Sequence, residues 1–169
     1  REVIFLSKAS LEPNFVYEIK KCGVSYMRSN NYWVFNKCEN KIEKEFIEKL
    51  NITSTIIKEN KGVFFIDFEK KESNYNKLTE KEKDKLNKQL NATIYNKFTF
   101  YHLDDTRIIN KIKDDDFDNK IIIVDEVHNL INSMSNETVT GEFFYNLMMN
   151  SKNSKYVFLS GTPIINSVF

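Results

Sequence analysis

The run Lys-Ile-Ile-Ile-Val-Asp-Glu, residues 120–126, constrains the fold more than any other stretch. Four consecutive β-branched residues, Ile121 to Val124, offer no polar side to water. Such a run suits a strand covered on both faces, as in parallel sheets flanked by helices. The stretches Glu-Val-Ile-Phe-Leu-Ser at 2–7 and Lys-Tyr-Val-Phe-Leu-Ser at 155–160 share the pattern, and each predicts a buried strand. Residues 97–103 predict a further one.

Helical patterns lie between these strands. Residues 10–23 place Leu11, Phe15, Ile19 and Cys22 on one face, with Ser10 as a candidate N-cap, Pro13 in the first turn and Gly23 as terminator. Residues 104–112 predict a helix capped by Asp104 or Asp105, and 141–151 another with Phe144, Leu147, Met148 and Ser151 on one face. Strands alternating with helices argue for an α/β fold with a mostly parallel sheet.

Residues 24–95 differ in character and are expected to form a Lys/Glu-rich inserted or accessory segment on the main domain. Ile42, Phe46 and Leu50 form one helical stripe; residues 62–68 predict a strand; Thr79 and Glu82 have capping-box spacing ahead of a stripe of Leu86, Leu90 and Ile94. The charge runs here are expected to be solvated helix faces.

With 169 residues, 41% of them hydrophobic, the chain can bury a core, and wholesale disorder is excluded. A net charge of +1 makes any basic surface a local matter. Cys22 and Cys38 show no metal-ligand spacing with the two histidines, and reduced thiols in an intracellular protein are expected. No apolar run reaches the roughly 18–20 residues that span a bilayer, so no membrane partner is expected. The chain opens almost inside a strand, without an initiator Met, and is expected to be part of something longer.

In open α/β sheets, ligands bind beyond the carboxyl ends of the strands. Three strands here end in polar chemistry: Ser-Lys-Ala-Ser at 7–10, Asp-Glu-Val-His at 125–128, and Ser-Gly-Thr-Pro at 160–163. Asp125 at a phosphate pocket could hold Mg²⁺ through water, and Glu126 could orient and deprotonate an attacking water. The alternative is that both acids favour the N-terminus of the next helix. His128 could relay between nucleotide and another part of the molecule, whereas His102 is read as structural. Ser160 and Thr162 could bond across to the acidic strand end, or form an ordinary turn. Ser7, Lys8, Ala9 and Ser10 combine small residues, a cation and a helix start, which suits a phosphate or a simple cap.

The order Leu-Ser-Lys-Ala-Ser-Leu, then Ile-Ile-Ile-Val-Asp-Glu-Val-His-Asn-Leu, then Val-Phe-Leu-Ser-Gly-Thr-Pro-Ile-Ile-Asn-Ser resembles motifs Ia, II and III of superfamily 2 helicases and translocases. Asp-Glu-Val-His is similar to their DExH box, a Walker B variant. Residues 161–167 look closer to chromatin-remodelling-type translocases than to DEAD-box helicases. Together with Asn-Asn-Tyr-Trp-Val-Phe at 30–35 and the segments 61–68 and 77–102, the chain resembles DExH helicases of nucleocytoplasmic large DNA viruses, similar to poxvirus-type early-transcription ATPases.

The resemblance implies a RecA-like first motor lobe of the P-loop NTPase type, with ATP and Mg²⁺ as cofactors and DNA or RNA as partner. It implies Mg²⁺ at Asp125, water activation by Glu126, coupling by His128, and a link from the nucleotide site to domain closure by Ser160 and Thr162. Ser7, Lys8, Ala9 and Ser10 would lie along the tracked strand. Viral transcription machinery would be a further partner, in a virion, viral factory or host cytoplasm. No Gly-x-x-x-x-Gly-Lys-Ser/Thr loop occurs in the sequence. The expectation is therefore a lobe truncated before its Walker A loop and before the second helicase lobe, inactive alone. A translocating subunit of a restriction-type system and a non-hydrolysing nucleic-acid-binding lobe remain the alternatives.

Overall fold

The computed structural model describes residues 2–37, 54–113 and 116–161. The chain divides into two compact units. The first comprises residues up to Glu12 and from Phe98 onward; the second is Pro13–Lys97. The expected accessory segment 24–95 falls inside the second.

Four strands build the first unit: β1 (Val3–Ser7), β4 (Phe98–His102), β5 (Ile121–Val124) and β6 (Lys155–Phe158). They form one all-parallel sheet in the spatial order β4-β1-β5-β6. Between β4 and β5 lies a short helix α4 (Ile108–Lys111); α5 (Val127–Ser135) and α6 (Val139–Asn150) lie between β5 and β6. This is an α/β architecture with helices flanking a parallel sheet.

Strand alternation explains the core. Ile4 and Leu6 of β1 share a face with Ile122 and Val124 of β5, all essentially inaccessible. Onto that face pack Ile108 of α4, Leu130 of α5 and Phe144 and Leu147 of α6. Each such side chain contributes roughly 1.5–3 kcal/mol by leaving water. The alternate residues Ile121 and Ile123 are only half-buried, while Phe5 stacks on Phe100 of β4 with centroids 5.1 Å apart. Helices α5 and α6 touch closely because residue 141 is glycine: a Cβ there would stand 2.3 Å from the Ser133 carbonyl oxygen. Thr138 caps α6, accepting from the Gly141 N–H at 3.0 Å.

The second unit contains most of α1 (Glu12–Cys22), then β2 (Trp33–Asn36), α2 (Ser54–Asn60), β3 (Val63–Ile66) and α3 (Glu80–Lys97). Strands β2 and β3 pair antiparallel. Trp33, Phe64, Leu86 and Leu90 form its core. The capping box at the start of α3 is made: Glu82 N–H donates to Thr79 Oγ1 at 3.3 Å, and Thr79 N–H donates to Glu82 Oε2 at 2.9 Å. Leu86, Leu90 and Ile94 are fully buried, as their spacing predicts.

Several local expectations need correction. Ser10 does not cap α1; it lies inside a 3-10 turn, Ala9–Leu11, whose entry has no side-chain cap. Cys22 is exposed, and Val16 is the buried residue of α1. The helix expected over 104–112 shrinks to the four residues of α4, because residues 104–107 form turns instead, with Arg107 N–H donating to Asp105 Oδ1 at 2.9 Å. Strand β6 is not buried: among the described residues it is an end strand of the sheet, and Val157 and Phe158 are exposed. An apolar run alone cannot distinguish a central parallel strand from an edge one. The stripe Ile42, Phe46 and Leu50, and also Cys38, Thr162 and Pro163, lie outside the described residues.

Candidate functional site

The sheet order doubles back at its centre. From β1 the chain returns to the sheet at β4 on one side, then crosses to β5 on the other side of β1. The crevice beyond the carboxyl ends of β1 and β5 is therefore the topological switch point, the general ligand position in open α/β sheets. Across that edge the strand ends present His102, Ser7, the pair Asp125–Glu126, and Ser160, in spatial order. The acid pair stands at the switch point itself.

Glu126 has a left-handed backbone, φ 50° and ψ 48°. For a residue with a Cβ this conformation costs on the order of 1–3 kcal/mol, and it persists only where the surroundings enforce it. They do so from both sides. Asp125 N–H donates to the Leu6 carbonyl at the end of β1 at 2.9 Å, and Val127 N–H donates to the Leu159 carbonyl past β6 at 3.0 Å. The residue between them is pinned by its two neighbours to two different strand ends. The Glu126 carbonyl then accepts the first turn of α5 from Asn129 N–H at 2.9 Å. Its side chain makes no cap bond, so the reading of both acids as side-chain caps of the next helix is not met for Glu126.

His128 Nδ1 lies 3.0 Å from Ser160 Oγ and 3.1 Å from Glu126 Oε2. One ring nitrogen has one in-plane hydrogen or lone pair, and the aligned contact is the one with Ser160. Glu126 Oε2 is thus a buried carboxylate oxygen close to the imidazole but without a hydrogen bond. An acceptor left in that state is costly unless a water or ligand completes it. Ser160 meets His128 in the first turn of α5 rather than either acid; Thr162 lies outside the described residues.

Ser7 is buried at the end of β1, with its hydroxyl donating to the Lys8 carbonyl at 3.3 Å. Lys8, Ala9 and Ser10 are exposed. Ala9 N–H, expected to be open to a phosphate, is instead taken by the Asp104 carboxylate at 3.0 Å. A negative charge already occupies that helix start, so Ala9 is not free to hold a phosphate.

His102 has company that its sequence neighbours do not announce. It pairs with Ser7 in the β1–β4 register, and its Nε2 lies 2.6 Å from Glu12 Oε2. Ninety residues separate the two partners in the chain. The only sequence signal was a histidine at a predicted strand end.

Hard carboxylate oxygens at a strand end, one of them orphaned, fit Mg²⁺, which keeps several waters and takes one or two carboxylates. Among the described residues no group of three or more His, Cys, Asp or Glu is placed to cage a metal. Likewise no described helix is long and apolar enough to cross a membrane. No family model, curated protein or solved structure matches the chain.

Proposed function

We propose that this chain is part of a RecA-like motor lobe of the DExH type, which couples ATP hydrolysis to movement on DNA or RNA. One observation carries the reading. Glu126, held left-handed at the switch point, keeps a buried carboxylate oxygen without a hydrogen bond beside Asp125 and 3.1 Å from His128, which itself bonds Ser160 at the neighbouring strand end.

In this reading Asp125 holds Mg²⁺ through water. The ion, when bound, offsets charge on the phosphates. The Glu126 carboxylate, whose Oε2 lies 3.1 Å from His128 Nδ1, aligns a water and accepts its proton. His128, bonded to Ser160, transmits changes at the nucleotide to the edge strand. Lys8 and Ser10, exposed past β1, would meet a nucleic-acid backbone in this reading. The reading requires a phosphate-gripping loop supplied from outside these 169 residues, since the sequence has no Gly-Lys-Ser/Thr.

The test is nucleic-acid-stimulated ATP turnover by the protein carrying this chain. Glu126→Gln should retain nucleotide binding and lower turnover by about 10²–10⁴, the scale of a lost general base. Unchanged turnover would remove Glu126 from that role. The alternative reading is a nucleic-acid-binding lobe that does not hydrolyse. Wild-type protein that binds oligonucleotide but never turns over ATP would select it.

A further inference from the structure

Outside the Asp125–Glu126 site, the described acids of the first unit have partners, with two exceptions. Glu2 pairs with Lys120, Glu12 with His102 and Asp105 with Lys111. Asp104 accepts from Ala9 N–H, Asp116 from Lys113 N–H and Asp118 from Lys152 N–H. Glu137 and Glu142 are the exceptions. Both are exposed, and among the described residues neither carboxylate has an ion-pair or hydrogen-bond partner.

These two acids line one groove of about 500 Å³ together with Met134, Gly141 and Tyr145. That volume falls within the range of about 300–1,000 Å³ typical of ligand sites. The groove lies where α5 ends and α6 begins, at the opposite end of α5 from Glu126. Helix α5 has no basic residue in its last turn, so the negative pole of its dipole adds to the two carboxylates. Tyr145 is 52% exposed, and the face of its ring attracts a cation. Apolar surface continues along both helices. Met149 stands one turn beyond Tyr145 on α6, and Ile131 three residues before Met134 on α5; both are exposed.

We propose that this groove docks a basic amphipathic segment of a partner protein, with an arginine or lysine held by Glu137 and Glu142 against the Tyr145 ring. Charge complementarity selects the occupant: two carboxylates, a helix C-terminus and an aromatic face all favour a cation and repel phosphate. The apolar side chains of the segment cover Ile131, Met134 and Met149, which a small polyamine would leave in water. Methionine side chains adapt their shape to such a partner. Arginine suits the groove better than lysine, because its planar guanidinium can stack on the ring while it bonds carboxylates. The groove lies wholly within the first unit and does not rest on the motor reading.

The experiment uses the protein carrying this chain and a fluorescein-labelled helical peptide of leucine, alanine and arginine, with binding read by anisotropy. Glu137→Gln with Glu142→Gln should weaken binding about tenfold or more, because it removes two charged acceptors and keeps their bulk. Both positions are exposed, so circular dichroism should be unchanged. Tyr145→Ala should weaken binding by roughly threefold to tenfold, and Tyr145→Phe should restore it. Replacing the peptide's arginines by citrulline should weaken binding to wild type but make little difference to the glutamine pair. A benzoylphenylalanine-bearing peptide should crosslink to residues 127–150, and Glu126→Gln should bind the peptide normally. The proposal is overturned if wild type does not bind the peptide, if the glutamine pair binds like wild type, or if crosslinks map elsewhere. Equal competition by spermine, or by an arginine peptide lacking apolar residues, would also overturn it.

Discussion

In the first unit β1 and β5 satisfy each other's backbone directly, with β4 and β6 outside them, so apolar side chains are left to do the packing. In the second unit the two-stranded sheet has no such neighbours among the described residues, and side-chain amides take their place. Gln89 of α3 accepts from Phe64 N–H at 2.8 Å and donates to the Phe64 carbonyl at 2.9 Å. Asn74 does the same for Trp33, at 2.8 and 2.9 Å. Each amide behaves as one residue of an extra strand. An isolated pair of strands is marginal in water, and helix packing plus these clamps is how this one is held. The lesson is that a short sheet can close its buried edges with glutamine and asparagine where a longer one uses more strands.

The largest stability effect should come from the apolar core of the first unit. Phe144→Ala removes a fully buried ring that packs near Phe117, and should cost about 3–5 kcal/mol in denaturant unfolding followed by far-ultraviolet circular dichroism. A loss under about 1 kcal/mol would mean that α6 is not seated on the sheet as described. Gln89→Leu tests the other side of the comparison. It keeps bulk while orphaning both polar groups of buried Phe64, and should cost about 2–4 kcal/mol. The single tryptophan, Trp33, reports this by its emission, since it is buried in the same core. A near-neutral result would show that the clamp is dispensable.

A smaller effect is expected at the start of α3. Thr79→Ala breaks the capping box and should cost about 1 kcal/mol. The Thr79 hydroxyl, followed by its backbone N–H, holds the Glu82 carboxyl below its ordinary pKa. That contribution is present above the unfolded carboxylate pKa and fades as pH falls through the lower folded value. The variant should therefore lose less stability on acidification than wild type; an equal loss would place the acid sensitivity elsewhere.

The gentlest test concerns Tyr101 in β4. Burial first, then the Asp116 carboxylate that accepts its hydroxyl at 3.2 Å, pushes its pKa up to about 12. The folded state thus holds this proton more tightly than the unfolded chain. Its stabilisation is complete below about pH 10 and is lost as pH rises toward about 12. Phenolate absorbance should lose one late-titrating tyrosine in Tyr101→Phe while Tyr156, also raised by burial, remains; no change on substitution would reassign it.

Much of this was legible beforehand because it is local. The capping box of Thr79 and Glu82 and the stripe of Leu86, Leu90 and Ile94 follow from spacing along one helix. What was missed joins distant residues: Gln89 to Phe64 across 25 positions, Asn74 to Trp33 across 41, His102 to Glu12 across 90. No periodicity announces which amide will find which backbone. The opposite error occurred at β6, where an apolar run suggested burial and the strand order put it at an edge.

At Asp125–Glu126 the division is sharpest. The sequence alone determined that two carboxylates follow a four-residue apolar strand, since hydrophobic patterning is a property of neighbours in the chain. Only the tertiary structure decided that this strand lies beside β1 at the switch point, and that Leu6 and Leu159 carbonyls hold the neighbours of a left-handed Glu126. Strand order is set by crossovers, and a strained backbone is maintained by bonds from other strands. Both depend on contacts between segments far apart in the chain, which spacing along that chain does not encode.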